Sequence, residues 1–158
     1  MSVPKKIINF LEKSKVKYEI IKHKIVYTAY DKTKTLRIPE KIVGKTLILK
    51  TNRNLSIALI PANKNLNPQK IKKSAKIKKL DFVSERVIKN KFKGVRVGAV
   101  PPFGNLWSIP TFIDKSLIKQ PKIIINSGDY NFSIKTSGVF LKKIVPDLIV
   151  GSFCKPKK

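Results

Sequence analysis

Apolar positions change their spacing several times along the chain, and each change marks an element. Ile7, Ile8 and Leu11 recur at helical spacing within residues 4–14, with Ser2 or Val3 near the cap. Residues 17–21 then alternate as a strand. Thr28-Ala-Tyr-Asp31 has the form of a capping box and predicts a helix starting after Thr28. Two apolar runs, 44–51 and 55–61, flank Asn52-Arg53-Asn54 and predict a β-hairpin. Asn67-Pro68 supplies a cap followed by a first-turn proline, so a helix follows it. Ser84 caps a second, short helix that stops at Gly94. Strands are predicted around 95–97, 109–113, 122–126 and 131–135. A helix near 139–144 precedes Pro146, and 148–153 reads as a last strand. Regular βαβ alternation is missing. The pattern predicts an α+β fold in which a mixed, largely antiparallel, barrel-like sheet is covered by helices. Residues 1–154 form a single domain in this reading, and 155–158 a basic tail that frays.

One stretch fits no periodicity: Gly98, Ala99, Val100, Pro101, Pro102, Phe103 and Gly104. Adjacent prolines lack backbone donors and fix φ, which excludes both a helix interior and a central strand. Flanking glycines permit backbone angles other residues resist. The expectation is a stiff loop that exposes the N–H groups of Gly98, Ala99, Val100, Phe103 and Gly104. Such a wall suits a small polar ligand; a plain turn between strands is the competing reading.

The charge balance narrows the partners. Thirty-five Lys and Arg face nine Asp and Glu, a formal +26 over 158 residues. Like charge of that size favours a polyanion, and nucleic acid is the expected partner ahead of compositional drift. Lysines outnumber arginines, which suits phosphate contact better than base reading. Lys70, Lys72, Lys73, Lys76, Lys78 and Lys79 are expected on the helix after Asn67, as a phosphate-tracking surface or a merely solvated face. No apolar run approaches the roughly 20 residues a membrane span needs, and the N-terminus lacks a signal-type apolar core. A single cysteine, Cys154, fits a reducing cytoplasm.

Candidate chemistry is reached mostly by elimination. One histidine and one cysteine leave no zinc-type ligand set, and no nucleotide-type glycine loop is present, so no metal or cofactor is expected. A hydrolytic triad would have to use His23, which reads better as a packing or ligand-shape residue. Lys45 stands apart because it sits inside an apolar strand segment, sharing a face with Leu47 and Leu49. It must snorkel, pair with an acid or point into a cleft. Asp129, at a glycine-marked strand end, is either a turn residue or an orienting acid for Lys45 or a substrate amine.

Taken together, these segments resemble the YbaK-type, prolyl-tRNA-synthetase-associated editing domains. The resemblance runs from about residue 7 to 149. It rests on Tyr18-Glu-Ile-Ile-Lys-His23 with Thr28-Ala, Gly44-Lys-Thr-Leu47, Ala58-Leu-Ile-Pro-Ala62, the Gly94 to Gly104 segment, Ile113-Asp114 and Ser127-Gly-Asp129. The order and spacing of the lysine strand, the glycine–proline loop and the Ser-Gly turn make it specific. It implies a single α+β domain that hydrolyses the ester of a mischarged tRNA with water as nucleophile. With no synthetase domain in the chain, it implies a trans-acting editor, with tRNA as partner and a prolyl-tRNA synthetase as a further one. Lys45 matches the family's functional lysine and residues 98–104 its substrate-pocket loop. Thr28, His23, Ser127, Gly128 and Asp129 are further pocket candidates. Some relatives place a histidine just after the Ser-Gly turn, where this chain has Tyr130 and Asn131. Two rivals share the composition: an RNA-binding protein that keeps the fold without turnover, and a hydrolase of small free esters.

Overall fold

A computed structural model describes residues 2–157. Its core is set by a strand pair apolar on both faces. Strands β2 (Gly44–Thr51) and β3 (Asn54–Pro61) form the predicted hairpin, pairing antiparallel from Gly44–Pro61 to Thr51–Asn54. Asn52 takes a positive φ of 57° in the two-residue turn, a backbone state that asparagine tolerates. Along β3, Ile57 and Leu59 face one cluster while Ala58 and Ile60 face another. Both faces of this sheet must therefore be covered.

Helices and smaller sheets supply the cover. Helix α1 (Lys5–Ser14) buries Ile7 and Leu11, one turn apart, in the larger cluster with Phe92, Phe103 and Trp107. Strand β1 (Glu19–Lys22) follows. Next comes α2 (Ala29–Leu36), capped as the sequence predicts: Thr28 Oγ1 accepts the Asp31 N–H at 3.0 Å. On the other face of β3, strand β4 (Lys64–Leu66) and helix α3 (Pro68–Ala75) enclose Leu66 and Ile71, with Asn67 as the cap. Strand β5 (Leu80–Phe82) pairs with β2, and α4 (Glu85–Lys91) starts at the Ser84 cap.

The second half completes three sheets. It comprises β6 (Thr111–Asp114), α5 (Lys115–Ile118), β7 (Ile123–Asn126), β8 (Phe132–Thr136), α6 (Leu141–Ile144), β9 (Ile149–Gly151) and β10 (Cys154–Pro156). Strand orders are β5-β2-β3-β6-β9, β1-β8-β7 and β10-β4. Among the described residues only the β3–β6 and β6–β9 pairings are parallel, so the sheets are mixed and largely antiparallel. They do not close into a barrel. A single parallel bridge, Val43 to Ile124, joins the start of β2 to β7 and brings the two larger sheets together. Around it Val43, Ala62 and Ile124 form a third cluster, roofed by Ala29 and Leu36 of α2. No helix among the described residues is long and apolar enough to cross a membrane.

Four expectations are corrected. Residues 95–97 form turns rather than a strand, because Gly94 and Gly98 at φ 90° and 85° break the extended run on both sides. The helix after Asn67 ends at Ala75, where Lys76 turns left-handed at φ 55°; Lys78 and Lys79 lie beyond it. The strand expected over 148–153 is shorter, Ile149–Gly151, and a separate one follows at Cys154–Pro156. Lys155 and Pro156, expected in a fraying tail, belong to β10 and pair with Asn65 and Lys64; Lys158 lies outside the described residues.

Gly104 shows how tightly the proline loop is seated. A Cβ there would stand 2.4 Å from Ile109 O and 2.4 Å from Thr111 Oγ1, which itself accepts the Gly104 N–H at 2.9 Å. Gly104→Ala therefore overpacks backbone against backbone and should cost about 1–3 kcal/mol. A thermal melt should fall by roughly 3–10 °C; an unchanged melting temperature would show that the loop yields freely.

Candidate functional site

The loop 98–104 is held in place by one carboxamide. Asn126 ends β7, and its side chain shares a strand face with Ile124, toward α2. Its Oδ1 accepts the Lys32 ammonium at 2.8 Å, while its Nδ2 donates to Val100 O at 3.2 Å and, more weakly, to Gly98 O at 3.4 Å. An ammonium can only donate, so Oδ1 must face Lys32 and the amide orientation is fixed by chemistry. Gly98 needs its φ of 85°. A second turn grips the loop from the other side: Gly128, at φ 100°, donates to Ala99 O at 2.8 Å and accepts the Arg96 N–H at 2.9 Å.

These contacts enclose a small cavity of about 10 Å³, room for about one water, lined by Val26, Thr28, Lys32, Gly98, Ala99, Asn126 and Asp129. Tyr27 and Tyr130 stand at its rim. Thr28, Gly98, Ala99 and Asp129 are thus brought together as the sequence suggested. Asp129 Oδ1 accepts the Asn131 N–H at 2.9 Å, the turn role foreseen for it. Ser127 turns inward and donates to Phe132 O at 2.7 Å. His23 lies nearby with both ring nitrogens engaged, Nδ1 with Lys24 O at 2.7 Å and Nε2 with Ser133 Oγ at 2.8 Å. Burial holds its pKa below the ordinary value, and both bonds are met by a neutral ring that donates through Nδ1.

The loop offers fewer donors than the sequence suggested. The Ala99 N–H reaches Arg96 O at 3.0 Å, Phe103 reaches Pro101 O at 2.8 Å, and Gly104 reaches Thr111. Among the described residues, Gly98 and Val100 keep amides without a protein acceptor. Residues 100–104 are buried, with Val100 and Phe103 in the main core, so Pro101, Pro102 and Phe103 support the wall from behind.

Lys45 takes a place different from the one expected. It does not line this cavity: its ammonium donates to Lys64 O at 3.0 Å, toward β4 and β10. Burial first, and the neighbouring Lys157 charge second, lower its pKa. Its backbone is nonetheless close in register. Val43 bridges Ile124 in parallel, so Lys45 and Asn126, each two residues further on, lie on the same face of adjoining strands. The cation inside the cavity is Lys32, 5% exposed, whose pKa burial drives down to about 8. Sequence reasoning passed over it. Its signal was the spacing Ala29, Lys32, Thr33, Leu36, which puts a lysine on the buried stripe of α2.

Outside the cavity, Lys73, Lys76, Lys78 and Lys79 are exposed, Lys72 is half-buried, and Lys70 donates to Cys154 O at 3.1 Å, tying α3 to β10. Burial and Asp114 push the Cys154 thiol up to about 12, so it stays a thiol at neutral pH. Asp114 itself accepts the Phe153 N–H at 2.8 Å and the Ser116 hydroxyl at 2.5 Å, a structural clasp. A larger concavity, about 590 Å³, lies under the Asn52-Arg53 turn and contains none of the expected site residues.

Sheets of this order carry a glycine–proline loop clasped by a Ser-Gly turn over a small cavity. The model of the aminoacyl-tRNA editing domain family matches residues 23–144. The chain belongs to that family. It is 32% identical over 129 residues to a proline–tRNA ligase of Fervidobacterium nodosum, covering 79% of this chain and 22% of the ligase, so it spans about a fifth of that relative. Two crystal structures share the fold. A hypothetical protein has a TM-score of 0.86 at 22% identity, over 95% of this chain and 99% of that one. A proposed trans-editing enzyme for prolyl tRNA synthetase has a TM-score of 0.83 at 15% identity, over 96% of each chain.

Lys32 makes stability depend on pH in a defined direction. Its folded pKa lies below the unfolded value near 10.5, so the unfolded state binds more protons between about 8 and 10.5. Folding is therefore penalised below pH 8, by about 3 kcal/mol, and the penalty fades as pH rises through that window. The stability of Lys32→Met relative to the parent should be highest at pH 7 and fall by pH 10 in denaturant titrations. A pH-independent difference would contradict a buried ammonium.

Proposed function

We propose that the chain hydrolyses the ester of a misacylated tRNA, the aminoacyl group entering at Gly98 and Val100 and water acting as nucleophile. The observation that carries this reading is the pair of unpartnered amides on a wall stiffened by two prolines. An aminoacyl ester is already activated, so positioning and oxyanion stabilisation meet most of its chemical need. Preorganised backbone donors aimed at the developing oxyanion serve that need. The attacking water is activated by the neighbouring ribose hydroxyl of the terminal nucleotide. Lys45, a strand neighbour of Asn126, exchanges its bond to the Lys64 carbonyl for the terminal phosphate, a stronger charge-assisted acceptor. Thr28 and Asp129 border the aminoacyl group, and His23 and Ser127 hold the walls around it.

The cavity holds about one water, so the aminoacyl group enters only as its walls part, and a small group is favoured by about 1–3 kcal/mol per methylene. The likeness to a proline–tRNA ligase makes tRNA(Pro) carrying alanine or cysteine the first substrate to try. Acting in trans is supported by the likeness in fold to a proposed trans-editing enzyme for prolyl tRNA synthetase. Exposed lysines of α3 and the segment after it contact the acceptor-stem phosphates, so binding weakens steeply with salt.

One observation favours a second reading, RNA binding without turnover: the cavity as it stands holds about one water, and the buried Lys32 lines it. A deacylation panel of mischarged tRNAs separates the two. The parent should release a small amino acid, and Lys45→Ala should lower the rate about 10²- to 10³-fold with tRNA affinity nearly unchanged. Parent-level turnover by the variant would remove Lys45 from the mechanism. Inactivity of the parent across the panel, with tight tRNA binding, would establish the second reading.

A further inference from the structure

At the rim of the cavity stands an aromatic pair for which the hydrolytic reading gives no role. Tyr27 is 63% exposed, although it stands next to a buried wall. Its ring rests against Tyr130 with centroids 4.7 Å apart and planes at 68°. Tyr130 is itself clamped: its hydroxyl donates to Val97 O, and its carbonyl accepts the Val26 N–H at 3.1 Å. The Tyr27 carbonyl lies 3.5 Å from where a Cβ on Gly98 would stand, so the pair borders the loop entrance. Tyr27 is therefore a presented, braced ring with open surface. Tyr30, also exposed, differs because the Lys34 ammonium sits 4.7 Å from its ring centroid.

The surroundings are cationic. A concavity of about 490 Å³ beside Tyr130 is lined by Arg86, Lys89 and Arg96, with Glu85 as its acid. Aromatic rings beside a positively charged groove are the means by which unpaired nucleotides are held without reading their sequence. We propose that Tyr27, braced by Tyr130, is a stacking platform for an unpaired nucleobase, with Arg86, Lys89 and Arg96 receiving the adjoining phosphates. Resting on the editing reading, this places the base of the single-stranded acceptor end at the cavity mouth, so that the acyl group reaches Gly98 while the strand runs on toward Arg96.

The test uses a fluorescein-labelled five-nucleotide single-stranded RNA, and the same RNA with an abasic 3′ residue, in anisotropy titrations at fixed salt. Tyr27→Ala should weaken binding of the intact RNA about 5- to 150-fold, and Tyr27→Phe should stay within about threefold of the parent. For the abasic RNA, parent and Tyr27→Ala should bind alike. Tyr27→Ala binding the intact RNA like the parent, or losing affinity equally for both RNAs, would overturn the platform. Deacylation by the same variants separates this inference from the editing reading. A parent that deacylates while Tyr27→Ala binds RNA unchanged refutes the platform alone; a parent inactive on every mischarged tRNA whose RNA binding still needs Tyr27 refutes editing alone.

Discussion

The arrangement of the candidate site depends on the bond between a buried ammonium and one carboxamide. Removing a lysine charge from water is costly unless polar partners replace the lost hydration. Asn126 supplies the acceptor, and its opposite edge donates to the loop carbonyls of Gly98 and Val100. Helix α2, the end of β7 and the glycine–proline loop thus meet at a single side chain. Since Lys32 can only donate, the carboxamide cannot rotate without breaking all three contacts. This geometry leaves the N–H groups of Gly98 and Val100 free while the carbonyls of the same residues are engaged.

Around that point the molecule divides its lysines by environment. Lys32 is enclosed and shifted toward neutrality, Lys45 lies in a strand and bonds a carbonyl, and the lysines after Asn67 face solvent. The last group adds most openly to the positive field around the chain. The prolines act by subtraction. Pro101 and Pro102 have no N–H, and the loop beyond them is buried, so donation is confined to its entrance.

Local chemistry was legible where a side chain answers its own backbone. Thr28, Asn67 and Ser84 each cap the helix that their sequence context predicts, and the Asn52-Arg53 turn joins the hairpin strands. The loop 98–104 and the Ser-Gly turn were legible as a unit through the family pattern, although not the bonds that satisfy Ala99, Phe103 and Gly104 internally. The strand expected over 95–97 failed because two left-handed glycines outweigh the two β-prone valines between them. Short strands β4 and β10 were missed because each pairs only with the other, across about ninety residues of sequence. Lys32 was passed over for a similar reason. A lysine in a helix reads as solvated until the partner that makes its burial tolerable is known, and Asn126 lies 94 residues away.

The central claim, that the entrance of the proline loop receives the acylated end of an RNA, is tested most directly by following backbone amides. A non-hydrolysable 3′-amide analogue of alanyl-adenosine, titrated into ¹⁵N-labelled protein, should shift the Gly98 and Val100 resonances first and furthest, leaving the Asn52 and Arg53 amides unmoved. Shifts centred on the large concavity under that turn, with Gly98 and Val100 unchanged, would contradict the account.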